Sequence, residues 1–228
     1  MPRIVCIGDS ITEGVTRGAG GAGPTLRDPD GGYPGRLARL LGTRAHVLGR
    51  GIGGATTETW LTDPRGAENR ALWGLVAKTG WEDFPLTAPP SDAPSLLLAV
   101  LRADRADVVI VLLGTNDIGV DRWKFGPAVI DRASEGLASV YRQARSVAPR
   151  VLVATVLPNT RDPAALRASL NVRIRAEYPD FLPLAERFEA AGWERLLGDL
   201  VHPNEEGHEV LARLVADELV ARHVVSPP

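Results

Sequence analysis

Five short apolar runs, residues 4–7, 45–48, 108–113, 151–157 and 181–184, each stop at glycine, proline or polar residues and read as buried strands. Segments of helical spacing lie between the later ones. Pro127 opens one in which Val129, Ala133, Leu137, Val140, Ala144 and Val147 recur every three or four residues, and Pro149 closes it. A second covers residues 164–177 on Leu166, Leu170 and Ile174, and a third covers 205–222 on Val210, Leu211, Leu214, Val215 and Leu219. Strands alternating with helices need crossover connections, and these give a parallel sheet covered on both faces. Chemistry in such a sheet gathers at the carboxyl ends of the strands.

The chain has 228 residues, 44% of them hydrophobic, which suits one α/β domain spanning 1–228. Its 26 basic and 28 acidic residues are mixed along the chain, so no broad basic face is expected and no nucleic-acid partner with it. The single cysteine, Cys6, excludes an intramolecular disulfide and reads as a reduced core residue. No apolar run approaches the ~20 residues of a membrane span, and the first strand begins by Arg3 with no leader before it. The expectation is a cytoplasmic protein.

Residues 55–106 break the regular pattern with Trp60, Trp73, Trp81, Pro85, Pro89, Pro90 and Pro94. One or two helices (69–78 and 95–103) and a proline-rich loop are expected there, in an insert of the length that binding loops and lids have. Trp60, Trp73 and Trp81 are candidates to line an acyl or sugar pocket; packing of the insert onto the sheet is the equal alternative.

Four polar clusters follow the strands: Gly8-Asp9-Ser10, Gly51-Ile-Gly-Gly-Ala-Thr-Thr57, Gly114-Thr-Asn-Asp117 and Asp199-Leu-Val-His202-Pro-Asn204. Ser10 is a candidate nucleophile, but a hydroxyl attacks poorly without a base and without donors for the oxyanion it creates. Asp199 and His202 are three apart, so one turn delivers a base and a carboxylate to orient it. Asn116 offers an uncharged amide donor, and glycine at 54 lets a backbone N–H turn inward. Each has a plainer reading as a turn residue. Asp9 and Asp117 read as loop-holding residues, and His46, His208 and His223 as structural or solvated. Arg17, Arg27 and Arg36 lie near the nucleophile loop and read as solvated surface, with an anionic substrate as the lesser alternative.

In this order the clusters resemble the blocks of the SGNH hydrolases, the GDSL-type esterase and lipase superfamily, over nearly the whole chain. The resemblance implies a three-layer α/β/α flavodoxin-like fold with a five-stranded parallel sheet. It also implies Ser10, Gly54, Asn116 and His202 as the four name-giving residues, with Asp199 completing the triad and the oxyanion held by Ser10, Gly54 and Asn116. One departure is Gly49-Arg50-Gly51, where many members have Asn-x-Gly. The expected activity is metal-independent hydrolysis of carboxylic (acyl or acetyl) esters through an acyl-enzyme on Ser10, with a small-molecule ester as partner and no cofactor. Acyl transfer by the same triad is one alternative. A metal-dependent phosphoesterase built on Asp9, Asn116, Asp199 and His202 is another, disfavoured by the lack of an Asp-x-His start and by only four histidines. A binding module of the same shape lacks a P-loop or a G-x-G-x-x-G before a helix. No serine sits in G-x-S-x-G, which excludes the α/β-hydrolase elbow.

Overall fold

The computed structural model describes residues 1–16, 26–65, 81, 84–86, 88 and 90–227. Among these residues six strands form: β1 (Arg3–Gly8), β2 (Val15–Thr16), β3 (Leu26–Arg27), β4 (His46–Gly51), β5 (Val108–Leu112) and β6 (Arg150–Val153). β1 is central and pairs in parallel with β4 on one side and β5 on the other, and β6 extends the sheet beyond β5. β2 and β3 form a separate antiparallel ribbon. Nine α-helices accompany them: α1 (Ser10–Glu13), α2 (Gly32–Leu41), α3 (Thr57–Leu61), α4 (Leu96–Asp104), α5 (Thr115–Phe125), α6 (Val129–Arg145), α7 (Ala164–Glu177), α8 (Leu184–Ala190) and α9 (Glu205–Ala221).

Successive residues of a strand face opposite sides, so the sheet divides the core in two. Val5, Ile7, Val109, Val111, Val151 and Val153 pack with α4, α6 and α7 through Leu97, Leu137, Val140 and Leu170. Ile4, Cys6, Ile110 and Leu152 pack on the other side with α2, α8 and α9 through Leu37, Phe188, Leu211 and Val215. The result is the expected α/β/α arrangement. Cys6 is fully buried, and burial pushes its thiol up to about 12. No helix among the described residues is long and apolar enough to cross a membrane.

The sheet has four strands where five are expected. The run 181–184 contributes a single parallel bridge, Ala154 to Leu182, closed by Leu182 N–H to Val153 O at 2.8 Å and Thr155 N–H to Leu182 O at 3.0 Å. Pro183 supplies no donor to lengthen it, and α8 starts at Leu184. β4 runs on through Gly49, Arg50 and Gly51, beyond the run 45–48 expected as the strand. The expected helix after Pro127 begins as a 3₁₀ turn at Gly126–Ala128 before α6, and the helix expected at 95–103 is α4, capped by the Ser95 hydroxyl. The helix expected at 69–78 lies outside the described residues, as does Trp73.

Arg50 explains why β4 does not end earlier. Its guanidinium makes a bidentate pair with Asp104 at the end of α4, Nε to Oδ2 at 2.7 Å and Nη2 to Oδ1 at 2.9 Å, and both residues are buried. Trp81 and Phe84 of the insert pack over the guanidinium at 5.3 and 5.2 Å from their ring centroids. The indole of Trp60 is fully buried and donates to Gly8 O at 3.1 Å, so this tryptophan is core and fastens the insert to the end of β1. Asp117 accepts from the Thr57 hydroxyl at 2.6 Å and from the Thr57 N–H at 3.1 Å, joining α5 to α3. Burial outweighs these bonds and pushes its carboxyl up to about 6.

Two measurements test these ties. Arg50→Ala strands a buried carboxylate and is expected to cost about 3–5 kcal/mol in urea unfolding, most of it recovered when Asp104→Leu and Arg50→Met are combined. For Asp117 the folded protein holds its proton more tightly than the unfolded chain does. Stability is therefore lost as pH rises from about 4 to 6, by about 3 kcal/mol at most, and Asp117→Asn should remove that part of the slope in paired melts across this range.

Candidate active site

β1 ends at Gly8, and the chain turns at once into the short helix α1. Asp9 caps it, its Oδ1 accepting from the Ile11 N–H at 2.9 Å, which leaves Ser10 as the first helical residue. Gly51 allows this turn to sit against β4: a side chain there would reach within 2.0 Å of Glu13 N. Asp9 is buried, and burial, with a smaller contribution from nearby Asp117, pushes its carboxyl up to about 7 despite the Ile11 bond and the charge of Arg161. It stands as the loop-holding residue the sequence suggests.

The connection before α9 brings Asp199 and His202 to Ser10. His202 Nε2 lies 2.9 Å from Ser10 Oγ and its Nδ1 lies 2.8 Å from Asp199 Oδ2. The other carboxylate oxygen, Oδ1, accepts the backbone N–H groups of Val201 and His202, each at 2.7 Å. One side chain thus fixes both the turn and the ring it carries. Burial works against ionisation of Asp199, but these bonds outweigh it and hold the carboxyl below the usual carboxylate range. A carboxylate at Nδ1 selects the tautomer with its hydrogen there, leaving Nε2 as an acceptor facing the Ser10 hydroxyl. Asn204 caps α9 by accepting from Gly207 N–H at 2.8 Å, so the turn is anchored at both ends.

Gly54 has φ +76°, a left-handed conformation that favours glycine, and open space where a side chain would project. Asn116 is the second residue of α5, on a helix rather than in a free turn. Its amide donates to Ala55 O at 3.1 Å and, at 3.4 Å, to Asp9 Oδ2. The first bond sets the nitrogen towards the Gly54–Ala55 turn, and the longer second one is the weaker claim on its other hydrogen. Ser10 N–H opens α1, and backbone N–H groups of a first helical turn have no partner within the helix.

The remaining candidates separate. Trp60 is not available to a substrate; Trp81 is half-buried, donating to Gly51 O at 3.3 Å. Arg36 is buried, not solvated, in a bidentate pair with Asp28 at 2.7 and 2.8 Å, while Arg27 pairs with Glu13; Arg17 lies outside the described residues. His46 opens β4 and His223 is exposed, whereas His208 is fully buried with Nε2 at 3.2 Å from Val15 O, and burial pushes it down to about 4. Sequence reading passes over Glu13, one turn of helix after Ser10, whose carboxylate lies against Gly53. Among the described residues no three His, Cys, Asp or Glu side chains converge as a metal site needs.

Residues 6–210 match the GDSL-like lipase/acylhydrolase family. An acetylxylan esterase of Xylanibacter ruminicola is 22% identical over 94% of this chain, which spans only 42% of that protein's length. A lipase/acylhydrolase from Enterococcus faecalis superposes with a TM-score of 0.66 at 19% identity, covering 100% of this chain and 99% of that one. An acetylxylan esterase from Geobacillus stearothermophilus gives 0.59 at 21% identity, covering 96% and 94%, and a carbohydrate acetylesterase from Sinorhizobium meliloti gives 0.61 at 20%, covering 97% and 100%. At these identities the solved structures establish a shared fold. With a family match over most of its length and Gly-Asp-Ser where its first strand gives way to α1, the chain belongs to the GDSL-like lipase/acylhydrolase family.

Proposed function

We propose that the chain acts, as a single domain, as a serine esterase on carboxylic esters, with Ser10, His202 and Asp199 as its triad and no metal in the reaction. The observation that carries this is the continuous relay from Asp199 Oδ2 through His202 to Ser10 Oγ, at 2.8 and 2.9 Å. Ser10 Oγ attacks the ester carbonyl carbon while its proton passes to His202 Nε2. The oxyanion is held by the N–H groups of Ser10 and Gly54 and by the Asn116 amide, which gives up its long bond to Asp9 to do so. Collapse breaks the carbon–oxygen bond to the alcohol, and His202 returns the proton to the departing oxygen. Water then repeats the sequence on the acyl-enzyme and releases the carboxylic acid. An alcohol in place of water would give acyl transfer with the same groups. The names of the relatives favour an acetyl ester of a carbohydrate as substrate.

Ser10→Ala is expected to lower kcat on p-nitrophenyl acetate by roughly 10⁴-fold or more and to abolish labelling by a fluorophosphonate, which should reach one equivalent in the native protein. Asp199→Asn keeps an oxygen for the two backbone N–H groups but turns a donor towards His202 Nδ1. The ring then takes the wrong tautomer, so kcat should fall roughly 10³- to 10⁴-fold with little change in KM or in the melting curve. A loss under tenfold would mean that the backbone alone orients the imidazole.

A further inference from the structure

β4 is an edge strand, and beside it a cavity of about 360 Å³ opens on the α2 side of the sheet. Gly49, Gly51 and Pro34 form its floor, and Glu13, Arg27 and Trp81 its walls. Glu13 belongs to α1, three residues beyond Ser10, and its Oε2 lies 2.9 Å from where a side chain on Gly53 would begin. The cavity therefore adjoins the Gly53–Gly54 turn that the esterase reading assigns to the oxyanion.

The walls are fixed in advance. Arg27 donates to Glu13 Oε1, and the Glu13 side chain is only 10% exposed. Trp81 is held by Arg50, by the nearly parallel ring of Trp60, its centroid 6.4 Å away, and by Phe84, set nearly perpendicular with its centroid at 5.2 Å. Its N–H is spent on Gly51 O. An indole so held meets an occupant without loss of side-chain freedom.

A flat aromatic surface beside a carboxylate and a guanidinium suits a ring with an apolar C–H face and adjacent hydroxyls. The C–H face packs on the indole, while hydroxyls donate to Glu13 and accept from Arg27. An acyl chain would desolvate both charges and replace none of their hydrogen bonds. A free anion would face Glu13. We propose that this cavity is the alcohol-side subsite, taking a sugar ring whose ester reaches Ser10; the inference rests on the serine-esterase reading above.

The test is the ratio of kcat/KM on a mono-O-acetyl methyl xyloside, which keeps two free ring hydroxyls, to kcat/KM on p-nitrophenyl acetate, measured with the full chain. Trp81→Leu and Arg27→Gln should each lower this ratio about tenfold, mainly through KM on the glycoside. Arg27 is half-exposed, so Arg27→Gln remains informative should Trp81→Leu fail to fold. A ratio within twofold of the native value in Arg27→Gln overturns the subsite. Fluorophosphonate labelling separates the two failures: labelled Ser10 with an unmoved ratio counts against the subsite alone, whereas unlabelled Ser10 with neither ester hydrolysed removes the reading on which it rests.

Discussion

Parallel strands all point their carboxyl ends at one edge of the sheet, and every feature of the site follows from that constraint. Ser10 follows β1, the Gly54 turn follows β4, and Asn116 follows β5. The Asp199–His202 turn arrives at the same edge by way of the Ala154–Leu182 bridge, α8 and the 3₁₀ turn Trp193–Leu196. Ser10 and His202 are 192 residues apart in the chain yet 2.9 Å apart in space. No local preference could bring them together; the order of strands does.

Holding that edge in register takes buried polar groups, which are costly to bury and poorly replaced by neighbours. Asp9 caps the helix that opens at Ser10, Asp117 ties α5 to α3, Trp60 bonds to the last residue of β1, and Arg50 with Asp104 fastens β4 to α4. Two of these carboxyls, Asp9 and Asp117, are pushed upward by burial, whereas Asp199, held by three hydrogen bonds, is pushed downward. The environment thus separates carboxylic acids of the same intrinsic strength into two that hold their protons to higher pH and one firmly ionised partner for an imidazole.

The parts of this arrangement that are legible in the sequence are the local ones. Uninterrupted apolar runs announced β1 and β5 because both are buried on two faces, and the Asp199–His202 spacing announced a turn whose side chains meet. The expected fifth strand shrinks to the single bridge at Leu182, because Pro183, inside the run 181–184, has no N–H to extend the pairing. Arg50 lies beyond the run 45–48 read as the strand, because its partner, Asp104, is 54 residues away and the charge is buried only once both have arrived. Trp60, likewise, gives no sign in sequence that its N–H is owed to Gly8 O, and so its place in the core was not separable from a place in a pocket.

The distance in sequence between Ser10 and His202 also sets an order of events. Ser10 is synthesised 192 residues before His202, which comes with the turn that leads into α9 and its packing beside α2. In the serine-esterase reading Ser10 is chemically silent until then, since a serine without its imidazole is an ordinary alcohol. In that reading hydrolysis is withheld until the turn before α9 has reached the sheet edge, and turnover becomes a report on completed folding.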